Sequence, residues 1–269
     1  MTRSPTLKAY AIGYLVFLYA PIVLLPLFAF NDSKIIAFPL SGFTTNWFSE
    51  MWNDSQMWIA LRHSLTIAAS TSIFATVLGI FAARASTRYS FPGKGGALGL
   101  IMLPLVLPEM IVAMSLLVVL LAVGVPLSIL TVILGHSLIC TPFAVAILTS
   151  AFQSLDKSLE EAAYDLGETP VSTFRLIILP LVMPGIISSL LICFTISLDE
   201  FIIAYFLAGA DSVLSSYIYS QFRFPARVPA MLALGTILVV VSIVLLTIAE
   251  YFRRRGIAKT GGKDTGGFL

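Results

Sequence analysis

The chain has 269 residues, 58% of them hydrophobic and only 11% charged, with a formal net charge of +2 and a mean hydropathy of +0.96. Soluble proteins carry roughly 25% charged residues, so this composition excludes an ordinary water-soluble domain and marks an integral membrane protein. Its two cysteines, Cys140 and Cys193, both fall in apolar stretches and read as small core residues, with no disulfide framework and no metal-ligand spacing.

Six apolar stretches approach the ~20 helical residues that a hydrocarbon core requires. The first, Ala9–Phe30, follows Arg3 and Lys8 as a secretion signal would. It is too long for a signal core and Phe28-Ala29-Phe30-Asn31 offers no small-x-small cleavage pattern, so it is expected to remain as an anchor. Trp47, Phe48, Met51, Trp52 and Trp58 then cluster among polar residues, with a spacing that suits a short helix lying in the interface, apolar face down. The second span is expected over Ser64–Ala83 and the third over Ala97–Val123, where Pro104 and Pro108, just before Glu109, are expected to disrupt the hydrogen-bond ladder and open the helix around a cavity. The fourth is placed at Ser128–Ala151 and the fifth at Gly185–Ala208, the latter enclosing Asp199 and Glu200. A loop from Asp211 to Val228 carries Tyr217, Tyr219, Arg223 and Arg227 before the sixth span, Ala230–Phe252. A membrane-spanning domain would thus occupy residues 1–255, followed by a tail over 256–269 without apolar periodicity.

Basic residues set the expected orientation. With both termini in the cytoplasm, that side holds Arg3, Lys8, Arg84, Arg88, Lys94, Lys157, Arg175, Arg253, Arg254, Arg255, Lys259 and Lys263. The other side holds only Lys34, Arg62, Arg223 and Arg227, a clear positive-inside asymmetry. The Arg253-Arg254-Arg255 cluster reads as an anchor at the lipid headgroups rather than a nucleic-acid patch.

Between the fourth and fifth spans lies a polar connector, 152–180, whose stretch from Asp156 to Glu168 holds five of the chain's 14 acidic residues. Leu155, Leu159, Ala162 and Leu166 recur at helical spacing, beside an acidic stripe of Glu161, Asp165 and Glu168. Gly167 suits a left-handed helix end, Thr169-Pro170 suits the N-cap and first residue of a second helix, and Pro180 and Pro184 are expected to break or kink it. On spacing alone, a plain polar loop serves equally well. The string Glu161-Ala162-Ala163, three residues, Gly167, nine residues, Ile177, one residue, Leu179-Pro180 resembles the EAA loop of ABC-importer permeases at every position.

Further strings extend the likeness: Asn31-Asp32-Ser33, Phe43-Thr44-Thr45-Asn46-Trp47-Phe48, His63-Ser64-Leu65-Thr66, Leu107-Pro108-Glu109, Ala113-Met114-Ser115-Leu116-Leu117 and Ser197-Leu198-Asp199-Glu200. From about residue 14 to residue 250 the chain resembles the second permease subunit of bacterial spermidine/putrescine importers. The resemblance implies an all-α, six-span permease of the inner membrane, working with a related permease subunit, two ATPase subunits and a periplasmic substrate-binding protein. It also implies that Leu159, Glu161, Ala162, Ala163, Leu166, Gly167, Thr169 and Pro170 form the surface that meets the ATPase. The chain departs in carrying glutamate at Glu109 and Glu200, where such permeases are expected to carry aspartate.

No Gly-x-x-x-x-Gly-Lys-Ser/Thr phosphate loop is present, so the chain reads as non-catalytic and without a cofactor or metal of its own. ATP and magnesium would be bound by the partner ATPase. Nor is there a His-Glu-x-x-His or Gly-x-Ser-x-Gly motif, and His63 and His136 stand far apart. A charged residue at the centre of a membrane helix costs ~2.5–3.5 kcal/mol, so Glu109, Asp199 and Glu200 need a reason. One is a path for a cation, with Phe201 and Tyr205 offering aromatic faces. Another is structural hydrogen bonding within the helix packing. Adjacent helical residues point about 100° apart, so Asp199 and Glu200 cannot both line a path, and Asp199 is the preferred one. Polyamines are the expected solute; another organic cation, an opine, thiamine or ferric iron is the alternative, followed by a proton-coupled cation carrier. Trp47, Arg223 and Arg227 are candidates for docking the binding protein.

Overall fold

The computed structural model describes residues 5–260, and the side chains of residues 6–244. Among the described residues the fold is helical, with one isolated antiparallel bridge, Asn31 to Phe43. Five helices are long and apolar enough to cross a membrane: Thr6–Ala29, Ser55–Arg88, Ile129–Gln153, Pro170–Asp199 and Pro225–Val244. A pair, Lys94–Leu105 and Glu109–Ala122, makes a sixth if counted as one span, although it is bent by 103°. By internal contacts the chain forms two units, one built from its two ends up to Ser55 and from Ile218, the other from Gln56–Tyr217.

The first unit contains α1 (Pro5–Ala29), α2 (Asn46–Trp52) and α12 (Val228–Thr260). Phe28, Ala29, Trp47, Leu232 and Ala233 make its core. The Trp47 indole N–H donates to the Asn31 carbonyl at 2.9 Å, and the Asn31 side chain accepts from the Ser41 N–H at 2.9 Å, which fixes the segment between α1 and α2. The expected interfacial helix is therefore corrected: α2 buries Trp47 and Met51 within the unit and leaves Trp52 exposed. α1, by contrast, is apolar and exposed along nearly its whole length. α12 continues past Arg255 to Thr260, so the expected tail begins as helix. The remainder of that tail, residues 261–269, and Arg3 lie outside the described residues, as do the side chains of Arg253, Arg254 and Arg255.

The second unit contains α3 (Ser55–Arg88), α4 (Lys94–Met102), α5 (Glu109–Ala122), α6 (Ile129–Gln153), α7 (Ser158–Asp165), α8 (Pro170–Thr173), α9 (Leu179–Asp199) and α10 (Ile202–Leu207). Small residues let its long helices approach closely. A Cβ at Gly79 of α3 would stand 2.8 Å from the Ala144 Cβ of α6, and one at Gly185 of α9 would stand 2.6 Å from that of Ala151. Buried polar side chains tie the same helices together: Thr76 to Ser189 at 3.0 Å between α3 and α9, and His136 to Ser197 at 2.8 Å between α6 and α9. Cys140 and Cys193 are free and buried, each thiol directed at the other residue's carbonyl oxygen, at 3.7 and 3.6 Å.

Three expected spans need correction. The second is a 34-residue helix, Ser55–Arg88, about 51 Å long at 1.5 Å per residue. It outruns a hydrocarbon core of about 30 Å. The third is not a continuous helix: a 3-10 turn at Leu103–Leu105 and the extended Pro108 (φ −58°, ψ 129°) end one helix before Glu109 starts another. The fifth stops at Asp199, and Ile202–Leu207 forms a separate helix beyond an extended Glu200.

Gly79→Leu is expected to cost ~1–3 kcal/mol through overpacking against α6, read as a lower melting temperature of the purified protein in detergent. Gly99→Ala in α4, where a Cβ meets nothing within 4 Å, should be neutral or gain up to ~1 kcal/mol from helix propensity.

Candidate functional site: a helical hairpin and two broken helices

The connector folds as a hairpin of two short helices, α7 and α8. The Asp156 carboxylate accepts the Ser158 N–H at 3.0 Å, and that bond holds its carboxyl below the usual value at the start of α7. At the other end Gly167 takes φ +86°, its N–H donates to the Tyr164 carbonyl, and the Glu168 N–H donates to the Ala163 carbonyl. Those paired bonds around a left-handed glycine are a Schellman closure. Thr169 then caps α8 by accepting the Ser172 N–H at 3.2 Å, with Pro170 in the first helical position.

Of the break or kink expected at Pro180 and Pro184, the chain shows no break, but it leaves α-helical geometry just before the first. In an α-helix the Pro180 ring would press on the Leu176 carbonyl. A π-helical turn at Phe174–Ile178 widens the helix there, so Pro170–Asp199 forms one run of 30 residues. The hairpin is thereby joined without interruption to the end of α9.

The two faces of α7 differ. Leu159, Ala162 and Leu166 are exposed with Glu161, Asp165 and Glu168; Leu166 is 86% exposed and neighbouring Val171 on α8 is 77% exposed. Ala163, expected on that outer face, is instead buried within the chain. Glu160 is buried with it and is the residue that the sequence reading missed. Arg84 Nη2 lies 3.2 Å from Glu160 Oε2 and Arg88 Nε lies 2.6 Å from Oε1, with all three side chains no more than 16% exposed. Arg88 also donates to the Leu155 carbonyl at 3.2 Å, and the Arg84 guanidinium sits 5.2 Å from the centre of the Phe174 ring. Removing one partner from such a nearly buried group typically costs ~3–5 kcal/mol. The available signal was Arg84 and Arg88 four residues apart on one helix face, but nothing local paired them with an acid more than 70 positions later.

The three acids occupy the helix breaks. Glu109 is the first residue of α5, exposed, where the helix dipole favours an anion. Asp199 is the last residue of α9, exposed, at the helix end where that dipole disfavours one. Neither has a hydrogen bond or ion pair among the described residues. Glu200 is different: its carboxylate is buried and accepts the Ile203 N–H at 2.6 Å, closing the first turn of α10, while the Ser215 hydroxyl donates to its carbonyl at 3.3 Å. Of the neighbouring pair, Asp199 faces outward and Glu200 serves the fold. Phe201 and Tyr205 pair with ring centroids 5.4 Å apart, Tyr205 about half exposed.

The docking candidates separate as well. Trp47 is only 9% exposed and belongs to a core, so its proposed surface role is withdrawn. Arg227 is half exposed and pairs with Glu50 at 3.4 Å and Asp54 at 3.6 Å. Arg223 lies 5.7 Å from the centre of the Tyr219 ring.

A polytopic helical bundle with a capped hairpin on its surface and acids at breaks in its helices has the form of a membrane transport component. The chain belongs to the family of binding-protein-dependent transport system inner membrane components, whose model matches residues 75–257. It is 36% identical to the putrescine transport system permease protein PotI of Escherichia coli K12 over 263 residues, 95% of this chain and 93% of that protein. The spermidine/putrescine transport system permease protein PotC of the same strain is 34% identical over 88% of this chain and 90% of its own length. PotC of Haemophilus influenzae is 32% identical over 95% and 99% respectively.

Among solved structures, a chain of a bacterial ABC transporter that imports the acidic polysaccharide alginate superposes with a TM-score of 0.71 at 16% identity, covering 94% of this chain and 99% of that one. A structure of an alginate ABC transporter with its pentasaccharide-bound periplasmic protein gives 0.70 at 22% identity, covering 93% of each. At those identities the likeness shows the fold alone.

Glu200→Ala is expected to destabilise the protein by ~1–3 kcal/mol, because the buried Ile203 N–H loses its acceptor. Glu200→Gln keeps a carbonyl oxygen and should cost less. Thermal unfolding in detergent distinguishes the two.

Proposed function

We propose that this chain is half of the translocation pathway of an ATP-driven importer of polyamines, putrescine or spermidine, in the inner membrane of a bacterium. A second related permease subunit completes the pathway, two ATPase subunits bind ATP and magnesium, and a periplasmic protein delivers the solute. Both termini and the α7 hairpin lie in the cytoplasm. The named relatives support the substrate class, and the observation that carries it here is Asp199: an exposed carboxylate at the end of a transmembrane helix, without an ionic partner and against the helix dipole. Glu109 adds a second exposed acid at the break before α5. A diamine or triamine compensates such charges; an anionic polysaccharide would not. Tyr205 and Phe201, next to the break, supply aromatic faces for ammonium groups.

On the cytoplasmic side, Leu159, Ala162 and Leu166 present the apolar edge of α7 to a groove on the ATPase. Glu161 meets a basic residue there, while Gly167, Thr169 and Pro170 hold the angle of the hairpin. Ala163 supports that face from beneath rather than touching the partner. Outside, Arg223 and Arg227 remain the basic residues offered to the binding protein.

The test is uptake of labelled putrescine and spermidine into proteoliposomes holding the whole complex and its binding protein. Asp199→Asn is expected to lower uptake at least tenfold while the complex assembles normally. Uptake equal to wild type would remove Asp199 from the pathway, and stimulation by a different solute alone would replace the polyamine.

A further inference from the structure

The Glu160 cluster joins three elements at one point. Its carboxylate spends one oxygen on Arg84 and the other on Arg88, both from the last two turns of α3. Arg88 reaches back to the Leu155 carbonyl, which precedes α7. Arg84 lies over Phe174, the first residue of the π turn that leads into α9. One acid on α7 thus ties the hairpin to α3, and through Arg84 to the base of α9. Lys157, Tyr164 and exposed Glu161 border the same shallow slot, of about 230 Å³, as the three charged residues.

Each helix tied at this point is long. α3 runs unbroken for 34 residues, and at its far end the Ser64 hydroxyl accepts the Leu214 N–H at 2.9 Å while His63 Nδ1 lies 2.9 Å from the Ser212 carbonyl oxygen. The run through α8, the π turn and α9 is 30 residues, about 45 Å at 1.5 Å per residue, and it ends at Asp199. A displacement of α7 therefore enters both rods through one charged joint. The geometry fits a hinge better than a surface pairing, because the Arg88 guanidinium holds the Glu160 carboxylate through Nε and the Leu155 carbonyl through Nη2 at once, and the pairs are too little exposed to be screened as surface ones are.

We propose that Glu160, with Arg84 and Arg88, is the joint that converts movement of the α7 hairpin into movement of α3 and α9, so that breaking it separates ATP hydrolysis from transport. Glu160 is a positioning residue. It touches neither solute nor ATPase and acts by holding α7 against the spans. The proposal rests on the reading of the α7 outer face as the ATPase contact, and the controls keep the two apart.

The measurement is the number of solute molecules imported per ATP hydrolysed, by the complete complex in proteoliposomes with its loaded binding protein. Glu160→Gln is expected to co-purify with the ATPase and retain stimulated hydrolysis within about twofold, while transport per ATP falls at least fivefold. Exchanging the charges, Glu160→Arg with Arg88→Glu, should recover at least half of the ratio lost by Glu160→Arg alone, which no loss of general stability would do. An unchanged ratio in Glu160→Gln, or a double variant no better than the single, overturns the proposal. If Glu160→Gln does not assemble, Arg88→Lys decides: it keeps the charge but loses the planar pair of donors that reaches Glu160 and the Leu155 carbonyl together, and a ratio not lowered at least twofold sinks the idea. Glu161→Lys separates the underlying reading. Uncoupling there without uncoupling in Glu160→Gln leaves the ATPase contact standing and removes the joint; a normal ratio in both removes both.

Discussion

A backbone N–H or C=O buried in hydrocarbon has no water to bond, so a helix can be interrupted within a membrane only where something in the protein takes over the orphaned groups. In this chain that constraint decides where the acids sit. Beyond α9 the chain turns extended at Glu200, and the carboxylate of the same residue receives the Ile203 N–H that the next helix leaves open. At the break before α5 the acid stands on the first helical residue, where the exposed N–H groups and the dipole both favour it. Charged residues that looked anomalous in the middle of spans are therefore at helix ends. The cost of placing them there is offset locally for Glu109 and Glu200, and for Asp199 it is not.

The same constraint explains why other helices are kept whole. Pro180 and Pro184 would ordinarily interrupt the run from the hairpin into α9. A π turn in front of the first accompanies a helix that continues to Asp199. Between them α3 and α9 frame the second unit, and the Thr76–Ser189 hydrogen bond joins them midway. Broken helices surround the exposed acids and unbroken ones lead away from them toward the hairpin. Such a division suits a transporter, in which discontinuous helices form the solute site and rigid elements move it.

Local chemistry was legible in the sequence wherever it involved residues a few positions apart. The hairpin could be read because Gly167, Thr169 and Pro170 each act on their own backbone, and five of the six spans because apolar length needs no partner to be recognised. Features made by distant residues were not legible. Trp47 looked interfacial until Asn31 took its N–H and Phe28 and Leu232 covered its ring. Glu160 drew no notice in the sequence, because the two arginines of α3 that close on it lie more than 70 positions earlier. Pro104 and Pro108 marked an interruption in Ala97–Val123, but not the 103° bend that follows from it, since hydropathy records burial and not direction.

The contrast between Asp199 and Glu200 follows from where the helix ends. Two adjacent carboxylates on one continuous helix would point about 100° apart, and neither would be relieved. Ending the helix between them lets each take a separate task. Glu200 can turn inward to an N–H because the chain has left helical geometry at that residue. Asp199, still helical, is left outward with its charge unanswered. The glutamate that set this chain apart from the expected pattern thus has a structural use, and the aspartate beside it stays exposed at the helix end.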